Sequence, residues 1–236
     1  MTHAGHAVMQ HALILFQGFE QLSNELSEYS KGVKGHIRLW ANMSALTEFL
    51  PSALASFLKD NPEIQVEVEE QLSGDIVRAL MDGIADIGVF AEGPITTGLE
   101  TQIMGSDQLV IACSKAHDLS KRKNITFNEC LEYDFVSLNK GSSLLELTSR
   151  CAEKLGKQMR LRIQVRSYDA MCQMIAVNLG IGVLPLQACA AQIKALGLKV
   201  IHLEDAWAKR NLLVAIKANT HQSPATALLS QHLLGR

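Results

Sequence analysis

The chain has few aromatic residues and no surplus of positive charge. Aromatic side chains make up 5% of the 236 residues, so aliphatic side chains have to fill the interior. Lysine and arginine number 22 against 24 aspartates and glutamates, and the formal net charge is -2. Proteins that grip nucleic acid through its phosphates carry clustered basic residues. The charge balance therefore argues against nucleic-acid binding by this chain itself.

The cysteines lack the spacing of a metal or redox site. Their number is odd, they are widely separated, and no Cys-x-x-Cys pair occurs, which argues against zinc ribbons and thioredoxin-like sites. We expect reduced, mostly buried thiols, as in cytosolic proteins. We predict no metal and no cofactor. The cysteines are Cys113, Cys130, Cys151, Cys172 and Cys189.

A secretion signal and a membrane-spanning run are also missing from the sequence. The N-terminus has no basic stretch followed by an apolar core and a cleavage site. No apolar run approaches the roughly 18–20 residues that would cross a bilayer. We therefore expect a cytoplasmic protein that does not bind membranes.

Catalytic motifs are not found either. There is no Gly-x-Ser-x-Gly elbow and no His-Glu-x-x-His helix. Gly180 and Gly182 lack the third glycine of a dinucleotide loop, and we interpret them as part of a turn between a helix and a strand. We expect no catalytic residues. A small enzyme on the same scaffold, such as a dehydratase, is the alternative.

The first thirty residues show the pattern of one long helix. Their apolar residues alternate spacings of four and three, which is an a/d stripe of about three heptads. We interpret residues 1–34 as a linker helix that pairs two subunits, and an amphipathic helix packed on its own domain is the alternative. The residues of this stripe are Val8, Ala12, Leu15, Phe19, Leu22, Leu26 and Tyr29.

Strand and helix patterns alternate in the rest of the chain. Strands are predicted at residues 36–41, 64–68 and 84–90, and helices at 45–59 and 75–81, where Pro51 should kink or restart the first helix. This βαβαβ order is typical of a parallel sheet with crossover helices. Further strands and helices follow, and we predict two α/β lobes. Lobe I is expected at residues 35–106 and 209–236, and lobe II at residues 107–208.

Five segments, in this order and spacing, resemble the LysR-type transcriptional regulators. In that family a winged helix-turn-helix head is followed by a linker helix and a two-lobed effector-binding domain built like periplasmic solute-binding proteins. The resemblance implies an α/β, two-lobed, periplasmic-binding-protein-like (type 2) fold with an N-terminal long linker helix. The segments are THAGHAVMQHA (2–12), HIRLWANMSALTEFLP (36–51), LMDGIADIGVF (80–90), DQLVIACSKAHDL (107–119) and IAVNLGIGVLP (175–185).

The DNA-binding head of the family has no counterpart in this sequence. We expect a shortened version of a longer regulator, and a naturally headless protein is the less favoured alternative. The resemblance implies a small-molecule effector, a homodimer or possibly a tetramer, and DNA contact only through the missing N-terminal domain.

Polar residues at predicted helix N-termini are the candidate effector-binding residues. Free N–H groups and the positive helix end favour anions such as carboxylates. Ligands of open α/β sheets bind beyond the carboxyl ends of the strands, where all these residues are predicted to lie. Plain N-capping, worth about 1 kcal/mol, is the alternative for each. The candidates are Asn42, Ser44, Ser73, Asn139, Ser142, Ser143 and Ser167.

Three charged residues add to this prediction. Lys140 and Arg166 could supply a counter-charge to an acidic effector, although a solvated surface position is the favoured interpretation of each. Asp86, inside an apolar segment, is expected to accept a hydrogen bond at a cap or hinge. By resemblance, we expect an effector-binding domain that closes on a small, acidic metabolite and passes the change to DNA-binding heads. A solute-binding protein of a transporter shares the fold, but it would need an export signal.

Overall fold

The computed structural model of the protein describes residues 2, 5, 8, 12 and 35–235. Val8 and Ala12 are helical, and Val8 is 69% exposed. Pairing of subunits through residues 1–34 stays a prediction. The other residues of the predicted stripe lie outside the described residues, and they are Leu15, Phe19, Leu22, Leu26 and Tyr29.

Residues 35–235 contain ten strands and seven α-helices, and none of these helices has the length and apolar character needed to cross a membrane. A π-helical turn, Ala45–Phe49, precedes the first α-helix. The strands are β1 (Gly35–Ala41), β2 (Ile64–Glu70), β3 (Ile87–Ala91), β4 (Leu99–Cys113), β5 (Asn124–Ile125), β6 (Asp134–Leu138), β7 (Arg160–Val165), β8 (Gly182–Pro185), β9 (Lys199–Leu203) and β10 (Lys209–Lys217). The helices are α1 (Leu50–Asp60), α2 (Ser73–Asp82), α3 (Phe127–Cys130), α4 (Ser143–Lys154), α5 (Tyr168–Ala176), α6 (Ala190–Leu196) and α7 (Pro224–Leu233).

The strands form one large mixed sheet and one small parallel sheet. The large sheet has the order β2-β1-β3-β10-β4-β9-β5, with β8 also paired to β4, and the small sheet joins β6 to β7. The predicted parallel pairing is confirmed for β1 with β2 and with β3. It does not extend through the sheet, because β10 lies antiparallel between β3 and β4. The chain leaves this part of the sheet along β4 and returns to it along β10, so these two strands run in opposite directions.

Two separate regions of buried apolar side chains lie along this sheet. The first core comprises two clusters drawn from residues 37–90 and 212–233. The second core is drawn from residues 109–208 and contains the buried cysteines. β4 is long enough to serve both, since its first part pairs with β10 and its last part pairs with β8 and β9. The chain therefore passes from one core to the other along β4 and returns at the start of β10.

The third predicted strand begins later than the sequence pattern suggested. It starts at Ile87, and the prediction of a strand from Ile84 is wrong. The backbone N–H groups of Ile84 and Ala85 instead donate to the carbonyl of Ala79, at 2.8 and 3.2 Å, and wrap around the end of α2. The carboxylate of Asp86 accepts from Arg38 N at 2.8 Å and from Arg38 Nη2 at 2.7 Å. Asp86 therefore accepts hydrogen bonds, as predicted, but from a residue within β1 rather than at a helix cap or hinge.

Candidate functional site

A cleft with a volume of about 400 Å³ lies between the two cores, a size typical of sites for small metabolites. It is lined where β1, β2, β6 and β7 end, at the carboxyl ends of these strands, as expected for an open α/β sheet. Six of the seven predicted effector residues line it, and Ser167 is not among the lining residues in the part of the chain that the structure describes. The lining residues are Asn42, Met43, Ser44, Glu70, Gln71, Leu72, Ser73, Leu138, Asn139, Ser142, Ser143, Arg166 and Tyr168.

Asn42 fixes the loop that follows β1. Its backbone N–H donates to the carbonyl of Val89 at 2.9 Å, which continues the pairing with β3. Its side-chain Oδ1 accepts from the backbone N–H of Ala45 at 3.0 Å, which matches the capping alternative for this oxygen. Because Oδ1 is committed to that N–H, the amide Nδ2 faces Ser73 and donates to Ser73 Oγ at 3.5 Å. The Ser73 hydroxyl thus accepts from Asn42 and keeps its own hydrogen for another partner.

Ser73 does not cap α2 as the sequence predicted. Leu72 occupies the N-cap position and makes no side-chain cap bond, and Ser73 is the first helical residue. The backbone N–H groups of Asp75 and Ile76 donate to the carbonyl of Leu72. The Ser73 side chain is therefore released from capping, and it is buried at the cleft wall with 2% of its surface exposed.

Ser44 also serves a different purpose from the predicted cap. It precedes the π-helical turn but makes no side-chain cap bond. Its Oγ accepts from Arg210 Nη2 at 2.7 Å and lies 3.0 Å from the hydroxyl of Tyr168, with which it forms a hydrogen bond. Ser44 follows a strand of the first core, whereas Tyr168 belongs to the second core. This pair of hydroxyls therefore connects the two sides of the cleft.

A buried ion pair lies behind these hydroxyls. Arg210 on β10 is directly opposite Asp107 on β4, and their side chains are 6% and 0% exposed. Arg210 Nε donates to Asp107 Oδ1 at 2.8 Å, and Arg210 Nη2 donates to Asp107 Oδ2 at 2.6 Å. Burial lowers the pKa of Arg210, but the hydrogen bonds and the charge of Asp107 raise that pKa above its ordinary value, so the guanidinium stays charged. Burial raises the pKa of Tyr168 to about 12, which keeps its hydroxyl protonated at neutral pH.

Glu48, in the π-helical turn, lies close enough to the ion pair to feel its charges. Burial and, to a smaller extent, the charge of Asp107 raise the pKa of Glu48 to about 7, although the positive charge of Arg210 opposes the shift. Within the described residues, the Oε2 atom of Glu48 is buried without a hydrogen-bond partner. The carboxyl group therefore loses solvation in its charged form, and it changes protonation near neutral pH.

The opposite side of the cleft is formed by the loop between β6 and α4. Ser142 is at the N-cap of α4 without a side-chain cap bond, so the capping alternative does not apply to it, and Ser143 is the first helical residue. The backbone N–H of Asn139 donates to the carbonyl of Val165 at 2.9 Å and anchors the loop to β7. Gly141 has a φ of +89°, and a Cβ there would come within 2.6 Å of the Leu72 side chain across the cleft. Glycine thus allows the two edges of the cleft opening, at Leu72 and at Gly141, to approach closely; we call these edges the lips of the cleft.

Ser167 and the predicted counter-charges occupy different places. Ser167 is the N-cap of α5 and accepts from the backbone N–H of Ala170 at 3.2 Å, which matches the capping alternative. Arg166 is an exposed residue that lines the cleft, whereas Lys140 is not among the lining residues in the described part of the chain. Glu70 brings one negative charge to the rim.

The arrangement is suited to an anion. The N-termini of the π-helical turn, α2 and α4 meet at the cleft with hydroxyls that are not used for capping. The first N–H groups of a helix lack partners within the helix and carry the positive end of its dipole. Tyr168, Asp107 and Arg210 could not be recognised as site residues from the sequence pattern. Asp107 and Arg210 are charged residues at the ends of apolar strand segments, and this was the one sign of them in the sequence. Their pairing could not be predicted, because the two residues are 103 positions apart and no local sequence pattern links them.

Comparisons with known proteins agree with this geometry. The model of the family described as LysR substrate binding domain matches residues 30–236. A probable RuBisCO transcriptional regulator of Trieres chinensis is 22% identical over 241 residues, covering 99% of this chain and 78% of that protein. The effector binding domain of QuiR in complex with shikimate superposes with a TM-score of 0.77 at 19% identity, covering 86% of this chain and 96% of that one.

A second solved structure leads to the same fold. The regulatory domain of CcmR from Synechocystis PCC6803, in complex with 2-PG, has a TM-score of 0.78 at 23% identity and covers 86% of this chain and 97% of that one. The predicted α/β, two-lobed, periplasmic-binding-protein-like type 2 fold is confirmed. The family match covers most of the chain, and the relatives are transcriptional regulators. The chain therefore belongs to the LysR substrate-binding domain family and is the effector-binding domain of a LysR-type transcriptional regulator.

Proposed function

We propose that the cleft binds a small acidic metabolite and that binding draws the two lobes together. The observation that carries this proposal is that three helix N-termini meet at one cleft between the two cores, together with serine hydroxyls that make no capping hydrogen bond. We assign residues 35–106 and 209–236 to lobe I and residues 107–208 to lobe II. Asn42, Ser44 and Ser73 then contact the ligand from lobe I, and Asn139, Ser142 and Ser143 contact it from lobe II.

Two structural neighbours support an acidic ligand. The QuiR domain was solved with shikimate and the CcmR domain with 2-PG, and both ligands are small acids. In this chain, Arg166 supplies a positive charge at the cleft, and the helix N-termini supply N–H donors. Glu70 at the rim disfavours ligands that carry negative charge at both ends, so we expect one anionic group in the interior and a neutral or hydroxylated remainder near the rim.

The proposed signal is a change in the angle between the lobes. A ligand that binds the closed form more tightly than the open form shifts the population toward closure. Residues 1–34 would pass this change to DNA-binding heads, within a homodimer or tetramer in the cytoplasm. In this account the domain binds its ligand without converting it, and DNA is contacted through the heads and not through this chain.

Isothermal titration with a panel of small carboxylates and phosphate esters, including shikimate and 2-phosphoglycolate, tests the proposal. We expect saturable binding of at least one acid, and we expect Ser142→Ala to weaken it about 10- to 100-fold, the loss of one hydrogen bond to a charged group. Ser56→Ala, on the exposed face of α1, is the matched control and should bind normally. Equal affinities in the Ser142→Ala variant and the wild type would place the ligand elsewhere. Appearance of a reaction product during titration would favour an enzyme.

A further inference from the structure

We propose that the buried Asp107–Arg210 pair positions the hydroxyl groups of Ser44 and Tyr168, which together form the floor of the cleft. Positioned in this way, the floor binds a fully deprotonated anionic group more tightly than one that still carries a proton. The inference rests on the proposed function, since it specifies the chemistry of the same cleft. Arg210 and Asp107 contact no ligand themselves in this account. They act through the Ser44 hydroxyl, to which Arg210 donates at 2.7 Å.

Counting hydrogens in this chain of groups shows what the floor can offer. A guanidinium is a donor only, so Ser44 Oγ must be the acceptor from Arg210. Ser44 and Tyr168 then share one hydrogen bond, at 3.0 Å, and either hydroxyl can be its donor. The two hydroxyls own two hydrogens and use one between them. In both arrangements one O–H hydrogen is left, and both residues line the cleft.

In the described part of the chain, that hydrogen is not used in a hydrogen bond to another protein acceptor. Ser44 is 2% exposed and Tyr168 is 5% exposed, and Asp107 already accepts three hydrogen bonds from Arg210. A ligand oxygen that accepts this hydrogen also approaches the positive guanidinium, which is favourable for an anion. A ligand O–H aimed at the same point would meet a hydrogen on the hydroxyl pair and a positive charge behind it.

The Ser73 hydroxyl, on the lobe I side of the cleft, is a second donor with its hydrogen left for a ligand. Asn42 Oδ1 is held by the N–H of Ala45, so its amide N–H donates to Ser73 Oγ. The Ser73 hydrogen is therefore also free for a ligand acceptor. Two hydroxyls whose oxygens already accept from fixed donors thus face one cleft, and the ligand group best suited to them has acceptors and no O–H.

Sulfate and hydrogen phosphate provide a test, because at about pH 8, above the second pKa of a phosphate group, both are tetrahedral dianions and they differ by one P–OH hydrogen. Binding of each anion to the whole chain is measured by calorimetry and by competition against an acid from the panel. We expect the wild type to prefer sulfate by ~10-fold, the equivalent of one unfavourable hydrogen-bond contact. The preference is a ratio measured on one protein sample, so partial unfolding does not change it.

The variant that tests the positioning role is Asp107→Leu with Arg210→Met. It removes both charges together and leaves neither buried alone, a replacement that folded proteins tolerate. We expect its sulfate preference to fall to within ~2-fold, because Ser44 can then accept from a ligand O–H as easily as it donates. If this variant fails to fold, Asp107→Val with Arg210→Leu also removes both charges and the donor to Ser44, and its preference should fall as well.

Ser56→Ala, on the exposed face of α1 and outside the cleft, is the matched control. Its preference for sulfate should persist. An unchanged preference in the charge-free variants would overturn the positioning role, and so would equal binding of both anions by the wild type. Failure of both anions to bind, while an organic acid does bind, refutes this selection and leaves the proposed function standing. Failure of every compound in the panel refutes both.

Discussion

At the scale of single residues, Glu48 links the stability of the domain to pH. Its pKa of about 7 in the folded protein lies above the ordinary value of 4.5, because burial and Asp107 disfavour the charged form. Folding therefore favours the protonated carboxyl, and the stability it contributes is complete below about pH 4.5 and is lost as the pH rises through about 7. We expect the melting temperature to decrease as the pH rises from about 4.5 to about 7.

Glu48→Gln is expected to reduce this pH dependence, since the amide cannot ionise. Thermal unfolding of both proteins across the same pH series checks the prediction. The variant should be the more stable protein at the alkaline end, and the two should converge at the acidic end. Parallel curves for the two proteins would mean that other groups control the pH dependence.

The Asp107–Arg210 pair makes a second prediction at this scale. Arg210→Met alone leaves the carboxylate of Asp107 buried without its partner, which should cost about 3–5 kcal/mol of unfolding free energy. The double variant with Asp107→Leu should recover most of that loss, because no unpaired charge remains. Denaturant unfolding of the wild type, both single variants and the double variant gives the coupling energy. A single variant that loses less than about 1 kcal/mol, the size of an exposed ion pair, would show that the pair is solvated in solution.

At the scale of secondary-structure elements, the loop between β6 and α4 sets how closely the lips of the cleft can approach. Gly141 has a φ of +89°, and an added Cβ would lie 2.6 Å from Leu72 Cδ1. Gly141→Ala should therefore strain the backbone by about 1–2 kcal/mol and, in addition, hinder closure. We expect weaker binding of the acid identified by calorimetry.

Gly156→Ala at the end of α4 is the matched control for this prediction. Its φ of +67° imposes a similar backbone strain, but no atom lies within 4 Å of the added Cβ. Chemical denaturation should show a comparable loss of stability in both variants, whereas calorimetry should show weaker binding in Gly141→Ala alone. Similar affinities for the two variants would remove Gly141 from the account of closure.

The elements also show what could be predicted from the sequence. Apolar periodicity placed β1, β2 and α2 to within two residues of their ends, and Pro51 does restart a helix, since it lies in the first turn of α1. The sequence did not predict a strand in the first part of β4, because that part is at least partly exposed and lacks an apolar pattern. Helix N-termini predicted six cleft residues, but they could not reveal that Ser44 bonds Tyr168 and Arg210 rather than its own helix. Those contacts depend on the positions of distant strands.

At the scale of the whole molecule, β4 and β10 are the elements on which movement between lobes would depend. The register between them shifts at Leu212 and Leu213, whose partners are Gly105 and Ile103, so β4 contains one extra residue there. Such bulges bend and twist a strand locally. The Asp107–Arg210 pair lies two residues beyond the bulge on the same two strands, next to the hydroxyls that join the sides of the cleft. The proposed ligand-binding hydroxyls and the bulge thus lie within a short distance of each other.

The most direct test of the central claim is a crystal structure of the whole chain with an acid that calorimetry has shown to bind. The account predicts that its anionic group lies within hydrogen-bond distance of Ser44, Ser73 and Ser142, with the lobes drawn together around it. A polar depression of about 350 Å³ near Arg160 and Arg162 offers an alternative position on the surface of lobe II. A ligand found there, with the cleft between the lobes filled only by solvent, would contradict the account.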